Sequence, residues 1–151
     1  MLQLTKKWLD DFFTKLVPYK QQMKKLVVKN FIPGIAWFFI VLVLMCLPGD
    51  EIPKVNWLSR ISFDKMVHIG VFAVLALLFC MPFHKSGYSA RERIQYFIKI
   101  SLAVSIWGLA IEFIQKYYIP GRSFDLLDWA ADSIGALLAY WFCRKKFTRE
   151  A

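Results

Sequence analysis

Residues 100–114 read ISLAVSIWGLAIEFI, an apolar run in which no Asp, Glu, Lys, Arg or His intervenes between Lys99 and Glu112. A carboxylate there is costly in lipid, and ionisable side chains in such segments turn toward a bundle interior or an aqueous cavity and mark function. The stretch therefore reads both as a membrane span and as the pointer to a site.

The composition agrees with that solvent. Hydrophobic residues make up 58% of 151 positions, with 6 Trp and 14 Phe, and the mean hydropathy is +0.43; soluble domains hold roughly 45–50% apolar residues. Four apolar runs carry the excess: Phe31 to Leu47, Met66 to Phe83, Phe97 to Ile114 and Leu126 to Phe142. Each is near the lower limit of the roughly 17–25 residues that cross a hydrocarbon core, and Lys29 and Lys99 can lengthen their helices by snorkelling. A soluble bundle would need four core helices with almost no polar face. Pro33-Gly34 opens the first run, Pro48-Gly49 closes it, Pro82 ends the second, and Pro120-Gly121 separates the third from the fourth. These signals predict an all-α protein, a bundle of four transmembrane helices over residues 31–143, flanked by a basic amphipathic segment (1–30) and a basic tail (144–151).

Charge predicts the orientation. Seven lysines between Lys6 and Lys29 face only Asp10 and Asp11; Lys85, Arg91 and Arg93 outnumber Glu92; Arg144, Lys145, Lys146 and Arg149 outnumber Glu150. The two remaining loops balance. By the positive-inside rule both termini and the middle loop are cytoplasmic, and the net charge of +9 is a topology signal that gives a nucleic-acid partner little support. No signal peptide is expected, because polar residues interrupt the first 30 positions before any long apolar run. Leu4, Trp8, Phe12 and Leu16 recur every four residues among the lysines, the pattern of a helix lying on anionic lipid; a solvated tail that only fixes topology is the alternative. Cys46 belongs to an outer helix end, Cys80 and Cys143 to inner ends facing a reducing cytoplasm, so all three read as packing residues.

With alternating helices, the start of the second span, the end of the third and the start of the fourth share the outer face. Asp64, Lys65 and His68 lie at the first, Glu112 and Gln115 at the second, Arg122, Asp125, Asp128 and Asp132 at the last. Helical spacing gathers them into three polar stripes able to point into one cavity. Simpler explanations stand beside this. Ser62 can cap a helix beginning near Asp64, and Asp125 with Asp128 can cap the fourth; His68 can be a satisfied core histidine; Lys116 can pair with Glu112 along the helix. Glu112, near a helix C-terminus, and Asp132, two turns inside its helix, resist such explanations. Arg122 is the best cation for the cavity, since its planar fork can hold a carboxylate or phosphate with two parallel hydrogen bonds; paired with Glu112 at rest, it would be open to competition from an anionic ligand. Ala131, Gly135 and Ala139 form a ridge of small residues that allows another helix close approach.

Asp64-Lys65-Met66-Val67-His68, Glu112-Phe113-Ile114-Gln115, Pro120-Gly121-Arg122-Ser123-Phe124-Asp125 with Asp128, and Asp132-Ser133-Ile134-Gly135-Ala136 together resemble the VanZ-like family of small bacterial membrane proteins, over roughly Asp64 to Phe142. The resemblance implies a four-helix, multi-pass protein of the bacterial plasma membrane, in a family named for a contribution to glycopeptide (teicoplanin) resistance. It departs at Asp132, where Asn is usual.

Three function classes follow. The first is an enzyme or binder acting on an anionic envelope lipid or lipid-linked cell-wall precursor at the outer face, with Arg122 and Lys65 holding phosphate, Gln115, Asp64, Asp125, Asp128 and Asp132 lining the site, and Glu112 or His68 transferring protons. The second is a non-catalytic accessory protein whose polar cluster fixes helix register. The third is a proton or ion pathway, weakened by the lack of titratable residues through the inner half. His68, Glu112, Asp125 and Asp128 are possible metal donors, but their spacing matches no metal motif; no metal and no cofactor are assigned, and oligomeric state is left open.

Overall fold

The computed structural model describes residues 26–47, 57–84 and 86–148; the N-terminal amphipathic pattern from Leu4 to Leu16 lies outside them. Four helices follow in order: α1 (Ile32–Met45), α2 (Trp57–His84), α3 (Ala90–Tyr118) and α4 (Leu126–Phe147), with a short 3-10 turn (Val28–Phe31) leading into α1. No strand occurs among the described residues.

Two helix starts differ from those expected. α2 begins at Trp57, so Asp64 is two turns inside it and Ser62 lies within the helix instead of before its start. α3 begins at Ala90 because Ser89 and Glu92 form a reciprocal capping box, the Glu92 carboxylate accepting from the Ser89 amide (2.8 Å) and the Glu92 amide donating to the Ser89 hydroxyl (3.3 Å). Arg91, Glu92 and Arg93 therefore form its first turn, not a loop. At the other end of the chain, Arg144, Lys145 and Lys146 continue α4, and Arg93 donates to the Phe147 carbonyl at 2.8 Å, a cation set against a helix C-terminus. The Pro120-Gly121 turn uses the conformation that glycine favours, Gly121 having φ 73°.

α4 lies between α2 and α3, while α1 packs mainly on α2. The α2–α4 crossing is close because Gly135 has no side chain: a Cβ there would overlap the Ile69 carbonyl oxygen and come within 3.0 Å of the Ala73 nitrogen. Ala131, Gly135 and Ala139 are all buried along this seam, as the small-residue ridge predicts. α1 is fixed by the Trp37 indole donating to the Val71 carbonyl (3.1 Å) and by Phe38 stacked on Trp107 with centroids 4.4 Å apart. One core cluster gathers Phe72, Leu75, Val104, Ile111 and Ala136; a second gathers Cys80, Phe83, Phe97, Cys143 and Phe147. The cysteines are free, Cys80 and Cys143 packed among aromatic rings.

The outside of the bundle carries many large apolar side chains. Ile35, Phe39 and Val43 of α1, Val74 and Met81 of α2, Leu102 and Ile106 of α3, and Leu137, Leu138 and Trp141 of α4 are all exposed. Three stretches are long and apolar enough to cross a membrane: Val28–Met45, Phe63–His84 and Ala90–Tyr118. α4 is not among them. An apolar exterior of this extent is what a bilayer, not water, accommodates.

A buried acidic cluster at one end of the bundle

The site is assembled from one turn-spaced face on each of three helices. On α2, His68 follows Lys65 by three residues; on α3, Glu112 follows Gly108 by four; on α4, Asp132 follows Asp128 by four. Those intervals put each pair on one side of its helix, and the packing of α2, α3 and α4 turns the three sides together.

Lys65 Nζ donates to Asp128 Oδ1 at 2.6 Å and reaches Asp125 Oδ2 at 3.3 Å. Asp125 serves twice, because its other oxygen accepts from the Leu127 amide at 2.8 Å as the N-cap of α4; capping and site membership both hold for it. Deeper in, His68 Nδ1 and Asp132 Oδ1 are 2.9 Å apart, and the imidazole lies parallel to the Phe72 ring. Glu112 Oε2 accepts the Asp125 backbone N–H at 2.8 Å. Asp64 joins the rim: it, His68 and Asp128 offer donor atoms that all lie within 4.8 Å of one another, as do His68, Glu112 and Asp132.

The inner residues are sealed from solvent, Glu112 and Asp132 at 0% exposure and His68 at 2%. Even so, among the described residues Glu112 Oε1 and Asp132 Oδ2 have no hydrogen-bond partner. An unmet buried polar atom costs about 1–3 kcal/mol, more when charged.

Two expected residues lie elsewhere. Arg122 does not pair with Glu112; its Nε donates to the Leu47 carbonyl at 3.4 Å, beside the end of α1, and Lys65 is the cation on the acids. Gln115 is buried on the right face of α3 but gives its amide to the Met45 carbonyl at 2.6 Å, closing the C-terminus of α1. The helical pair between Lys116 and Glu112 does not form either: Lys116 Nζ sits 5.3 Å from the Tyr117 ring centroid.

Sequence reasoning missed Gly108. A Cβ at that position would stand 2.6 Å from Asp132 Oδ2 and 2.9 Å from Asp132 Cβ, so the absence of a side chain on α3 is what admits the Asp132 carboxylate. Its signal was present, a glycine one turn before Glu112 on the same face. Below it, the Ser105 and Ser133 hydroxyls meet at 2.7 Å and the Trp129 indole donates to the Ser105 carbonyl at 3.1 Å, a polar seam joining α3 to α4 under the cluster.

No curated protein and no solved structure matches the chain. The sequence model of the VanZ/LLP1 family, by contrast, matches residues 7–147. That range takes in all four helices and extends well beyond the Asp64 to Phe142 stretch that carries the resembling motifs. With the motif residues of α2, α3 and α4 gathered in one buried cluster and the match covering nearly the whole length, the chain belongs to the VanZ/LLP1 family.

Proposed function

We propose that this is a multi-pass protein of the bacterial plasma membrane that binds or processes a phosphorylated anionic lipid or lipid-linked cell-wall precursor at its outer face, and that it contributes in this way to glycopeptide (teicoplanin) resistance. The single observation that carries the reading of a ligand site is the pair of oxygens on Glu112 and Asp132 left without a partner among the described residues inside a sealed cluster; the anionic head group is assigned from the cations Lys65 and Arg122 at the same end. A purely structural network is stabilised by closing such positions; a binding site keeps them for something that is not protein.

In this reading all four helices cross the bilayer. From Leu126 to Cys143, ahead of Arg144, α4 spans about 27 Å at 1.5 Å per residue, a stretch within the range of about 17–25 residues that cross a bilayer. Its two acids are turned inward, Asp128 5% and Asp132 0% exposed, while Leu127, Ile134, Leu137 and Leu138 face outward. The end opposite the cluster carries Arg91, Arg93, Arg144, Lys145 and Lys146, with Lys145 over the Trp141 ring and Lys146 over the Phe142 ring, the behaviour of interfacial anchors. That basic end supports a cytoplasmic placement for both termini and leaves the acidic cluster outside. Residues 31–143 are assigned to the membrane body, with the basic stretches 1–30 and 144–151 flanking it on the cytoplasmic side.

An anionic head group would draw on two cations at this end of the bundle: Lys65, which it would share with Asp125 and Asp128, and Arg122, which would swing from the Leu47 carbonyl and grip a phosphate through two donors where a lysine offers a point charge. Binding of a short-chain polyprenyl phosphate, followed by tryptophan fluorescence of the purified chain, is expected to weaken about tenfold in Arg122→Lys and further in Arg122→Gln. Full affinity in Arg122→Lys would rule out the bidentate grip, and equal binding of the parent to neutral phosphatidylcholine would rule out anion recognition.

A register-fixing role is the second reading. It is favoured by the ties between helices: Lys65 to Asp128, His68 to Asp132, Glu112 to the Asp125 amide and Gln115 to the Met45 carbonyl.

A further inference from the structure

We infer that His68, Glu112 and Asp132 hold a divalent metal cation. One donor atom from each lies within 4.8 Å of the other two, and all three residues are buried. They come from three different helices, so the bundle itself sets their spacing.

Independent of that clustering, two carboxylate oxygens in the cluster lack a partner among the described residues, Glu112 Oε1 and Asp132 Oδ2. Neither can turn to water, since both side chains are fully enclosed. An ion between them would satisfy both.

Charge selects a dication. Lys65 is already committed to Asp125 and Asp128, so among the described residues Glu112 and Asp132 meet the Asp125 amide and the His68 imidazole and no ammonium or guanidinium. In a medium of low dielectric, an uncompensated pair of this kind is far costlier than in water. A doubly charged cation neutralises it.

The geometry also fits the donors. The hydrogen bond between His68 Nδ1 and Asp132 Oδ1, 2.9 Å long, already turns the ring and the carboxylate toward each other, and Oδ2 of that carboxylate is the oxygen left for an ion. Gly108 provides the room, because any side chain there would collide with the Asp132 carboxylate. The second group, Asp64 with His68 and Asp128, is the weaker candidate, since Asp128 Oδ1 is held by Lys65 at 2.6 Å.

One imidazole with two carboxylates suits Mn²⁺ or Zn²⁺. Three protein ligands leave coordination positions open, as in sites that take a substrate. There the ion would supply the positive charge that this acidic pocket lacks, binding and polarising a phosphate oxygen. That last role rests on the proposed function; the ion site itself does not.

The test uses the full-length chain in detergent micelles, stripped with chelator and titrated with Mn²⁺ under electron paramagnetic resonance, with Zn²⁺ as competitor. One saturable Mn²⁺ per chain is expected, weakened roughly 100-fold or more in Glu112→Gln and in Asp132→Asn, and unchanged in His84→Gln, which removes the only other histidine. Spin-echo modulation from a single imidazole nitrogen is expected in the parent and in His84→Gln, a readout that needs no variant of the cluster to fold. Absence of saturable binding, parent-like affinity in both carboxylate variants, or no imidazole modulation overturns the site. Mn²⁺ binding without polyprenyl phosphate binding would end the functional reading and keep the ion; phosphate binding without Mn²⁺ binding would do the reverse.

Discussion

Gly135→Ala is expected to remove folded protein from the membrane. Its new methyl group would overlap the Ile69 carbonyl oxygen and press on the Ala73 amide. Both are backbone atoms of α2, and no rotamer change can relieve them. Ordinary overpacking costs about 1–3 kcal/mol; a clash with helical backbone at the tightest crossing should reach the top of that range or exceed it, against a total stability of roughly 5–15 kcal/mol. Gly70→Ala is the matched control, since a Cβ there meets nothing within 4 Å and alanine is the better helix former by about 1 kcal/mol. Thermal unfolding of the two detergent-solubilised variants should show Gly70→Ala at or above the parent and Gly135→Ala far below it. Equal stability of the two would mean that α2 and α4 do not approach as described.

Lys65→Met should be the most damaging single change in the cluster. It leaves Asp128, with a side chain 8% exposed, facing Asp125 and the inner carboxylates without its ammonium. Breaking a buried ion pair costs about 3–5 kcal/mol, and partial exposure of the Lys65 side chain, 21%, lowers the expectation to about 2–3 kcal/mol. Adding Asp128→Asn to Lys65→Met removes the stranded charge and should restore most of the loss. A double-mutant cycle by thermal or chemical unfolding measures this directly. Additive losses would show that the two side chains do not interact.

How much of this could be read in the sequence depends on the scale of the feature. The apolar runs, the small-residue ridge at Ala131, Gly135 and Ala139, and the three polar stripes are local periodicities, and the helices carry them as spaced. Helix starts were harder. Ser62 offered a plausible cap, yet the helix extends back to Trp57; the capping box at Ser89 and Glu92 was visible in the letters but lay within what reads as a charged loop.

The partners inside the cluster were least legible. Spacing assigns a residue to a face of its own helix, whereas the partner depends on the rotation and depth of the neighbouring helix. Lys65 and Arg122 were both available cations; the packing brought Lys65 onto Asp128 and left Arg122 on the Leu47 carbonyl. Gln115 shares the face of Glu112 but is one turn farther along, where the end of α1 supplies the Met45 carbonyl. Gly108 acts only through the side chain it lacks, toward Asp132 on another helix.

The most direct test of a ligand site over a structural tie is Glu112→Gln, with thermal stability and teicoplanin susceptibility of a sensitive Gram-positive host measured for the same variant. Glutamine keeps an acceptor for the Asp125 amide, now bonded at 2.8 Å, and removes the charge. The account predicts a melting temperature within a few degrees of the parent and loss of the resistance that the proposed function assigns to the parent. A sharp fall in stability, or resistance that survives the substitution intact, would contradict it.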